Sequence, residues 1–221
     1  MACFYVISTP IGNLEDVTLR AIRILKEVDI VLCEDTRVTK RLFEKHGINT
    51  PMMSYHSQSG EAKVEAIFEE IEKGKNIALV TDAGTPGISD PGSVLISEIR
   101  AKYPELRVYS IPGASALTAA LSISGVPTHE FTFLGFLPHK KGRETLFREI
   151  AESERTMVFY ESTHRIMKTL ESLKKIDKKI TIVREITKIY EEVLQGSAQE
   201  IFNTMSSTPE KQKGEFVVIV S

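Results

Sequence analysis

Short apolar runs and helical stripes alternate along the first half of the chain. Residues 3–8 form a continuous apolar run of strand length. A loop with Pro10, Gly12 and Asn13 follows. Val17, Ala21, Ile24, Leu25 and Val28 recur at spacings of three and four, which predicts a helix over 16–27. Residues 30–33 read as a second strand. Thr36 is placed to cap a helix to residue 45, closed by Gly47. Residues 52–55 are a weak strand. A helix over 60–73 carries Val64, Ile67, Phe68 and Ile71 on one face and stops at Gly74. Residues 76–81 are a strong strand, Asp90 and Pro91 open a helix to residue 102, and 106–111 is a fifth strand. Strands alternating with helices predict a parallel α/β sheet with right-handed crossovers.

After Pro112 the pattern changes. A small-residue helix is expected over 114–123, then a strand at 131–134 and a basic loop, LPHKKGR. A helix at 143–152, a strand at 156–160 and a helix at 163–173 follow. Strands at 180–184 and 189–195 are separated only by a turn, which implies antiparallel pairing. Ser197 and Glu200 form a capping box for a helix to Met205, and residues 215–220 are the last strand. Residues 206–214 read as a polar loop. The reading is two domains, a parallel α/β domain over 1–112 and an α+β domain with a mixed sheet over 113–221.

Composition narrows the class. The chain has 221 residues, 42% of them hydrophobic and 26% charged, enough to bury a core without staples. A net charge of −2 excludes a uniformly basic coat for nucleic acid but allows a local basic patch. Cys3 and Cys33 lie in apolar runs and read as buried strand thiols, too few for a disulfide framework. The five histidines show no zinc-ligand spacing, so no metal is expected. No apolar stretch approaches the ~20 residues of a membrane span. The start lacks a basic segment before its apolar run and does not read as a signal peptide. A soluble, cytoplasmic protein is expected.

The densest chemical signal is residues 81–92, TDAGTPGISDPG, directly after a strand and before a helix. Ligands of open α/β sheets bind outside the carboxyl ends of strands. Glycines there allow close backbone approach, and prolines lower the ordering cost. The spacing of Gly84, Gly87 and Gly92 is not a dinucleotide fingerprint, and no phosphate-binding P-loop exists in the chain. Two further loops, STPIGNLED at 8–16 and IPGASA at 111–116, follow strands and converge on the same edge. Ser115 suggests a hydrolase nucleophile, but the G-x-S-x-G elbow fails at Leu117. Glu34 and Asp35 beside Arg37 suit either acid/base work or the acidic start of a helix. Basic residues gather at Arg37, Lys40 and Arg41 and in the loop carrying Lys140, Lys141 and Arg143. The second group is placed to meet phosphates.

The segments STPIGNLEDVTLRA, CEDTR, TDAGTPGISDPG, SIPGASALTAAL, GFLPHKKGR, FYESTHRI, REITKIYEE and GEFVVIV occur in this order. Together they resemble the bacterial small-subunit ribosomal RNA (cytidine-2′-O)-methyltransferases. These are a branch of the tetrapyrrole methylase family, class III of the S-adenosylmethionine-dependent methyltransferases. The resemblance spans nearly the whole chain. It implies two α/β domains with S-adenosyl-L-methionine in the cleft between them, a homodimer, and 16S ribosomal RNA or the small subunit as partner. The family's glycine-aspartate-proline loop corresponds to Gly84, Thr85 and Pro86, with Thr85 in place of the aspartate. By the same resemblance Asp82, Ala83, Gly84, Thr85, Pro86, Ile88 and Ser89 hold the cofactor's amino-acid part and ribose. Ser115, Ala116, Tyr160, Glu161, Thr187 and Gly214 line the rest, with Pro10 and Gly12 as a wall. Many members carry a helical extension after the last strand, where this chain ends at Ser221.

The implied reaction moves a methyl group to a ribose 2′-oxygen. The hydroxyl must lose a proton, and Glu34 and Asp35 are the candidate bases, with Glu161 and His164 behind them. The competing readings are a tetrapyrrole or protein methylase of the same family, and a non-catalytic cofactor-binding module on the ribosome.

Overall fold

The computed structural model describes every residue except Met1, Ser57 and Pro91. The expected helix opening at Pro91 therefore lies outside the described residues. The chain divides into two compact units, one ending at Ser115 and the other spanning Ala116–Ser221.

The first unit is a five-stranded parallel sheet. Its strands are β1 (Cys3–Ile7), β2 (Ile30–Cys33), β3 (Met52–Ser54), β4 (Ile77–Leu79) and β5 (Arg107–Ile111), in spatial order β3-β2-β4-β1-β5. Alternating strand residues feed opposite layers. Val31, Cys33, Ala78 and Ile7 pack with α1 (Leu19–Glu27) and α2 (Thr36–His46). Ile30, Leu32, Ile77 and Phe4 pack with α3 (Glu61–Glu72) and α4 (Gly92–Lys102). Both faces are covered over the inner strands, which is why β1, β2 and β4 read as unbroken apolar runs, while the edge strand β5 is more exposed. The adjacent strands β1 and β4 lead into helices on opposite faces, so a crevice opens at their carboxyl ends.

Local chemistry shifts several boundaries. Residues Leu14–Asp16 form a 3-10 turn capped by Asn13, and α1 starts only after Thr18, whose hydroxyl accepts from Ala21 N at 3.0 Å. Asp35, not Thr36, caps α2: its carboxylate accepts from Arg37 N at 2.8 Å. Gly47 ends that helix in the left-handed conformation, as expected. Cys33 is buried, whereas Cys3 is only partly covered.

The second unit is a mixed sheet of β6 (Phe131–Phe136), β7 (Thr156–Ser162), β8 (Ile180–Arg184), β9 (Glu192–Gly196) and β10 (Glu215–Val220), in order β6-β7-β10-β8-β9. Strands β6 and β7 run parallel, while β10 is antiparallel to both β7 and β8, and β8 to β9. Helices α6 (Arg143–Glu152), α7 (Ile166–Leu173) and α8 (Ala198–Ser207) cover one face, and α5 (Ala116–Ser124) covers the other. The Ser197–Glu200 capping box forms. The polar stretch 206–214 is not all loop: it completes α8 and adds a 3-10 turn, Pro209–Gln212.

Candidate active site

The candidate residues gather at two places, one in each unit. In the first unit the loops after β1, β4 and β5 are bonded to one another. Thr9 N donates to Gly84 O at 2.9 Å, and Gly84 N returns to Thr9 O at 3.1 Å. The Ser8 and Thr85 hydroxyls lie 2.9 Å apart, and Thr85 also donates to Ala114 O at 3.3 Å. Thr85 therefore ties three loops together. Gly84 has φ of 90°, which an L side chain rarely adopts. Asp90 accepts from Gly87 N at 2.6 Å and Gly92 N at 2.9 Å, closing the loop on itself. Along this loop Pro86 is buried, while Ala83, Ser89 and Ile88 are exposed. Pro10 is buried and Gly12 is exposed in the neighbouring loop; Ser115 and Ala116 are half-buried.

Glu34 and Asp35 do different work. Glu34 is half-buried at the end of β2 and accepts from the Thr81 hydroxyl at the end of β4. Burial pushes its carboxyl above the ordinary range; the carboxylates of Asp82 and Asp90 push the same way, and the Thr81 hydrogen bond opposes them. Asp35 holds Arg37 at 2.6 Å and caps α2, and its pKa falls to about 2 because the Arg37 side chain and amide stabilise its anion. A carboxylate so stabilised is a weaker proton acceptor than Glu34, so of the two candidate bases the geometry favours Glu34. Asp35 N in turn donates to Asp82 Oδ1 at 3.0 Å. Arg37, Lys40 and Arg41 are exposed; Arg37 is engaged by Asp35, and Lys40 lies 3.7 Å from Glu44.

In the second unit Tyr160 and Glu161 lie near the end of β7 on opposite faces of the sheet, Gly214 directly precedes β10, which pairs with β7 and β8, and Thr187 follows β8. Tyr160 packs edge-on against Phe133 and Phe136, with centroids 4.9 and 5.5 Å away, and burial raises its pKa. Thr187 has φ of 67° and a buried hydroxyl that lacks a partner among the described residues. Gly214 N donates to the Thr163 hydroxyl at 2.8 Å, and that hydroxyl donates to Gly214 O at 2.7 Å. Arg184 fixes both loops by donating to the carbonyls of Lys213, Tyr190 and Glu210 at 2.7, 3.1 and 3.0 Å.

Two expectations change here. The Glu161 side chain is 1% exposed and fully engaged. It accepts from Arg165 Nε at 2.7 Å, Ser162 N at 2.9 Å and the Thr169 hydroxyl at 2.6 Å, so its carboxylate is occupied by this buried network rather than presented to a ligand. Arg143 is 8% exposed and donates to Thr169 and Pro138, so it is not a surface phosphate contact. Lys140 and Lys141 are exposed as expected, and so is His164.

The arrangement fits a cationic, amphipathic ligand such as S-adenosylmethionine. Within the first unit, Glu34, Asp82 and Asp90 place negative charge beside the glycine loop. The same acidity disfavours a phosphate at the first-unit loops. Among the described residues no cluster of side chains suits a metal ion, and no helix is long and apolar enough to cross a membrane. A cavity of about 820 Å³ lined by Glu130, Thr145, Glu149, Glu152 and Arg155 contains none of the candidate residues. Sequence reasoning placed Ser8 and Thr81 in the marked loops without giving either a role, and missed Arg184. Their position in those loops was visible, but not the bonds they make to Thr85 and Glu34; nothing marks Arg184.

A parallel first sheet followed by a mixed second sheet defines a two-unit α/β fold known among methyltransferases. The methyltransferase CobJ matches over 100% of this chain and 94% of its own, with a TM-score of 0.71 at 20% identity. A diphthine synthase matches over 100% of this chain and 90% of its own, with a TM-score of 0.70 at 15% identity. The family model for tetrapyrrole (corrin/porphyrin) methylases matches residues 3–201. The chain belongs to that family. A relative from Halalkalibacterium halodurans is 44% identical over 219 residues, covering 98% of this chain and 74% of its own. One from Thermotoga maritima is 39% identical over 223 residues, covering 100% of this chain and 99% of its own. Both bear the name ribosomal RNA small subunit methyltransferase I.

Proposed function

We propose that this protein is a cytoplasmic, homodimeric enzyme that methylates the ribose 2′-oxygen of a cytidine in 16S ribosomal RNA. The observation that carries this reading is near-full-length similarity to relatives named for small-subunit ribosomal RNA methylation. S-adenosylmethionine, when bound, supplies an electrophilic methyl group. Residues 82–89 hold it through backbone groups and the acidic side of the loop. Ser115, Ala116, Tyr160, Thr187 and Gly214 provide further contacts, and Pro10 and Gly12 a wall. Glu34 accepts the proton of the attacking hydroxyl. Its raised pKa moves it toward the neutral range, where a general base works best. Lys140 and Lys141, with Lys40 and Arg41, contact the RNA backbone, which sets register without reading sequence.

The test is mass spectrometry of 16S RNA from cells lacking the protein, followed by incubation of their small subunits with the purified protein and labelled S-adenosylmethionine. One lost ribose methyl, restored in vitro, is expected. An unchanged methylation map overturns the reading, and a monomeric mass by light scattering overturns the dimer.

A further inference from the structure

The buried guanidinium of Arg143 does something other than meet phosphate. We propose that Arg143 is a positioning residue for RNA, holding the loop that carries Lys140 and Lys141 through a relay of Thr169 and Glu161. This rests on the reading of that loop as an RNA backbone contact.

The relay is continuous in the structure. Arg143 closes the loop twice: its backbone N donates to Lys140 O at 3.2 Å, and its Nη1 donates to Pro138 O at 3.3 Å. Leu137, just before the loop, is 1% exposed, so the loop's first end is anchored in the core. At the other end Nη2 of Arg143 donates to the Thr169 hydroxyl at 2.7 Å, and the guanidinium lies over the Phe147 ring at 4.9 Å. Thr169, on α7, passes its own hydrogen to Glu161 Oε2 at 2.6 Å. Glu161 Oε1 is held by Arg165 Nε and Ser162 N. The chain of bonds thus runs from the exposed lysines to the end of β7, beside Tyr160.

The fork geometry matters. One planar guanidinium reaches Pro138 O and Thr169 Oγ1 together while its face covers Phe147. A lysine ammonium keeps the charge but cannot hold this set in one plane. Gly142, directly before Arg143, has φ of 83°, a left-handed turn at the end of the loop that an L side chain rarely adopts. With the relay cut, the two lysines keep their charge but must be ordered when RNA arrives. That ordering weakens RNA binding without changing how many phosphates are neutralised.

The experiment measures steady-state methylation of unmethylated small ribosomal subunits across salt concentrations. It also measures S-adenosylmethionine affinity by calorimetry. Changing Lys140 and Lys141 together to Ala should flatten the salt dependence of RNA affinity by about 1.4 logarithmic units per tenfold salt. Arg143→Lys and Thr169→Val should each raise KM for the subunit roughly 5-fold, the ordering cost of one long side chain. Their salt slope, kcat and cofactor affinity should stay parental, and Thr169→Ser should restore the parental KM. If the double lysine variant flattens the slope while Arg143→Lys and Thr169→Val keep the parental KM, the relay is only structural and the inference falls. If the double lysine variant itself behaves as the parent, the reading of the loop falls, and the inference with it. Should Thr169→Val fail to fold, Arg143→Lys decides alone.

Discussion

The Thr81 hydroxyl donates to the Glu34 carboxylate, joining the carboxyl ends of β4 and β2. The bond crosses between the glycine loop and the segment that sequence patterning marks for acid/base work. It favours the charged form of Glu34, against burial that favours the neutral one.

Glu34→Gln should therefore lower kcat on small subunits by at least ~10²-fold, with little change in melting temperature or cofactor affinity. Because burial raises the Glu34 pKa, the parental rate should fall as pH drops through a value above the ordinary 4.5. Thr81→Val removes the bond that opposes this shift and should move that limb to higher pH. A pH–rate profile of both variants checks this, and parental kcat in Glu34→Gln removes Glu34 as the base.

Asp35 should matter for folding rather than chemistry. Asp35→Ala removes the cap of α2 and should lower the melting temperature by roughly 2–4 °C at neutral pH. The native pKa of about 2 lies below the ordinary 3.8, so the stabilisation is complete above about 3.8 and is lost as pH falls toward 2. Melting curves from pH 7 to 2 should show the gap between parent and variant closing at the acid end.

Gly84→Ala places a side chain where φ is 90°, at a cost of roughly 1–2 kcal/mol. Its Cβ would sit 3.5 Å from Ile11 Cγ2, an ordinary contact, so the strain is in the backbone. The loop should relax away from Thr9. Affinity for S-adenosylmethionine should fall about 10-fold by calorimetry, the factor set by strain of that size.

Removing the carboxylate in Glu161→Ala leaves Arg165 and the Thr169 hydroxyl without their acceptor in a buried place. Loss of one partner of such a network costs about 3–5 kcal/mol. Urea denaturation should show that loss with or without cofactor present. A variant of parental stability that binds S-adenosylmethionine poorly would instead return Glu161 to the ligand contacts.

The parallel sheet was legible because its inner strands β1, β2 and β4 are covered on both faces and so appear as apolar runs; the outer strands β3 and β5 are more exposed. The mixed sheet was legible from two strands, expected at 180–184 and 189–195, with no helix between them; the second begins only at Glu192. The boundaries moved where side-chain caps decide them. Asp35 and Thr36 are both good caps by type, and only the backbone at Asp35, extended with ψ of 111°, settles which one acts. Glycine and proline spacing marked the loop at 81–92, but not the bonds from Ser8 to Thr85 or from Thr81 to Glu34, which link residues more than 45 positions apart. Arg143 misled because a basic residue in a basic run looks exposed; Thr169 and Phe147, which draw it inward, lie on helical turns whose partners a sequence does not name.

The place of β10 has a consequence for synthesis. It stands between β7 and β8, so residues 215–220 join β6-β7 to β8-β9. Everything in the first unit is made before residue 116, and its sheet takes no strand from later in the chain. The growing chain can complete that unit early, whereas the second must wait as two unjoined ribbons with open strand edges. A product cut short before residue 215 would carry a finished first unit and a second that cannot close. Such fragments would be recognisable to proteases by cleavage confined to the residues after Ser115.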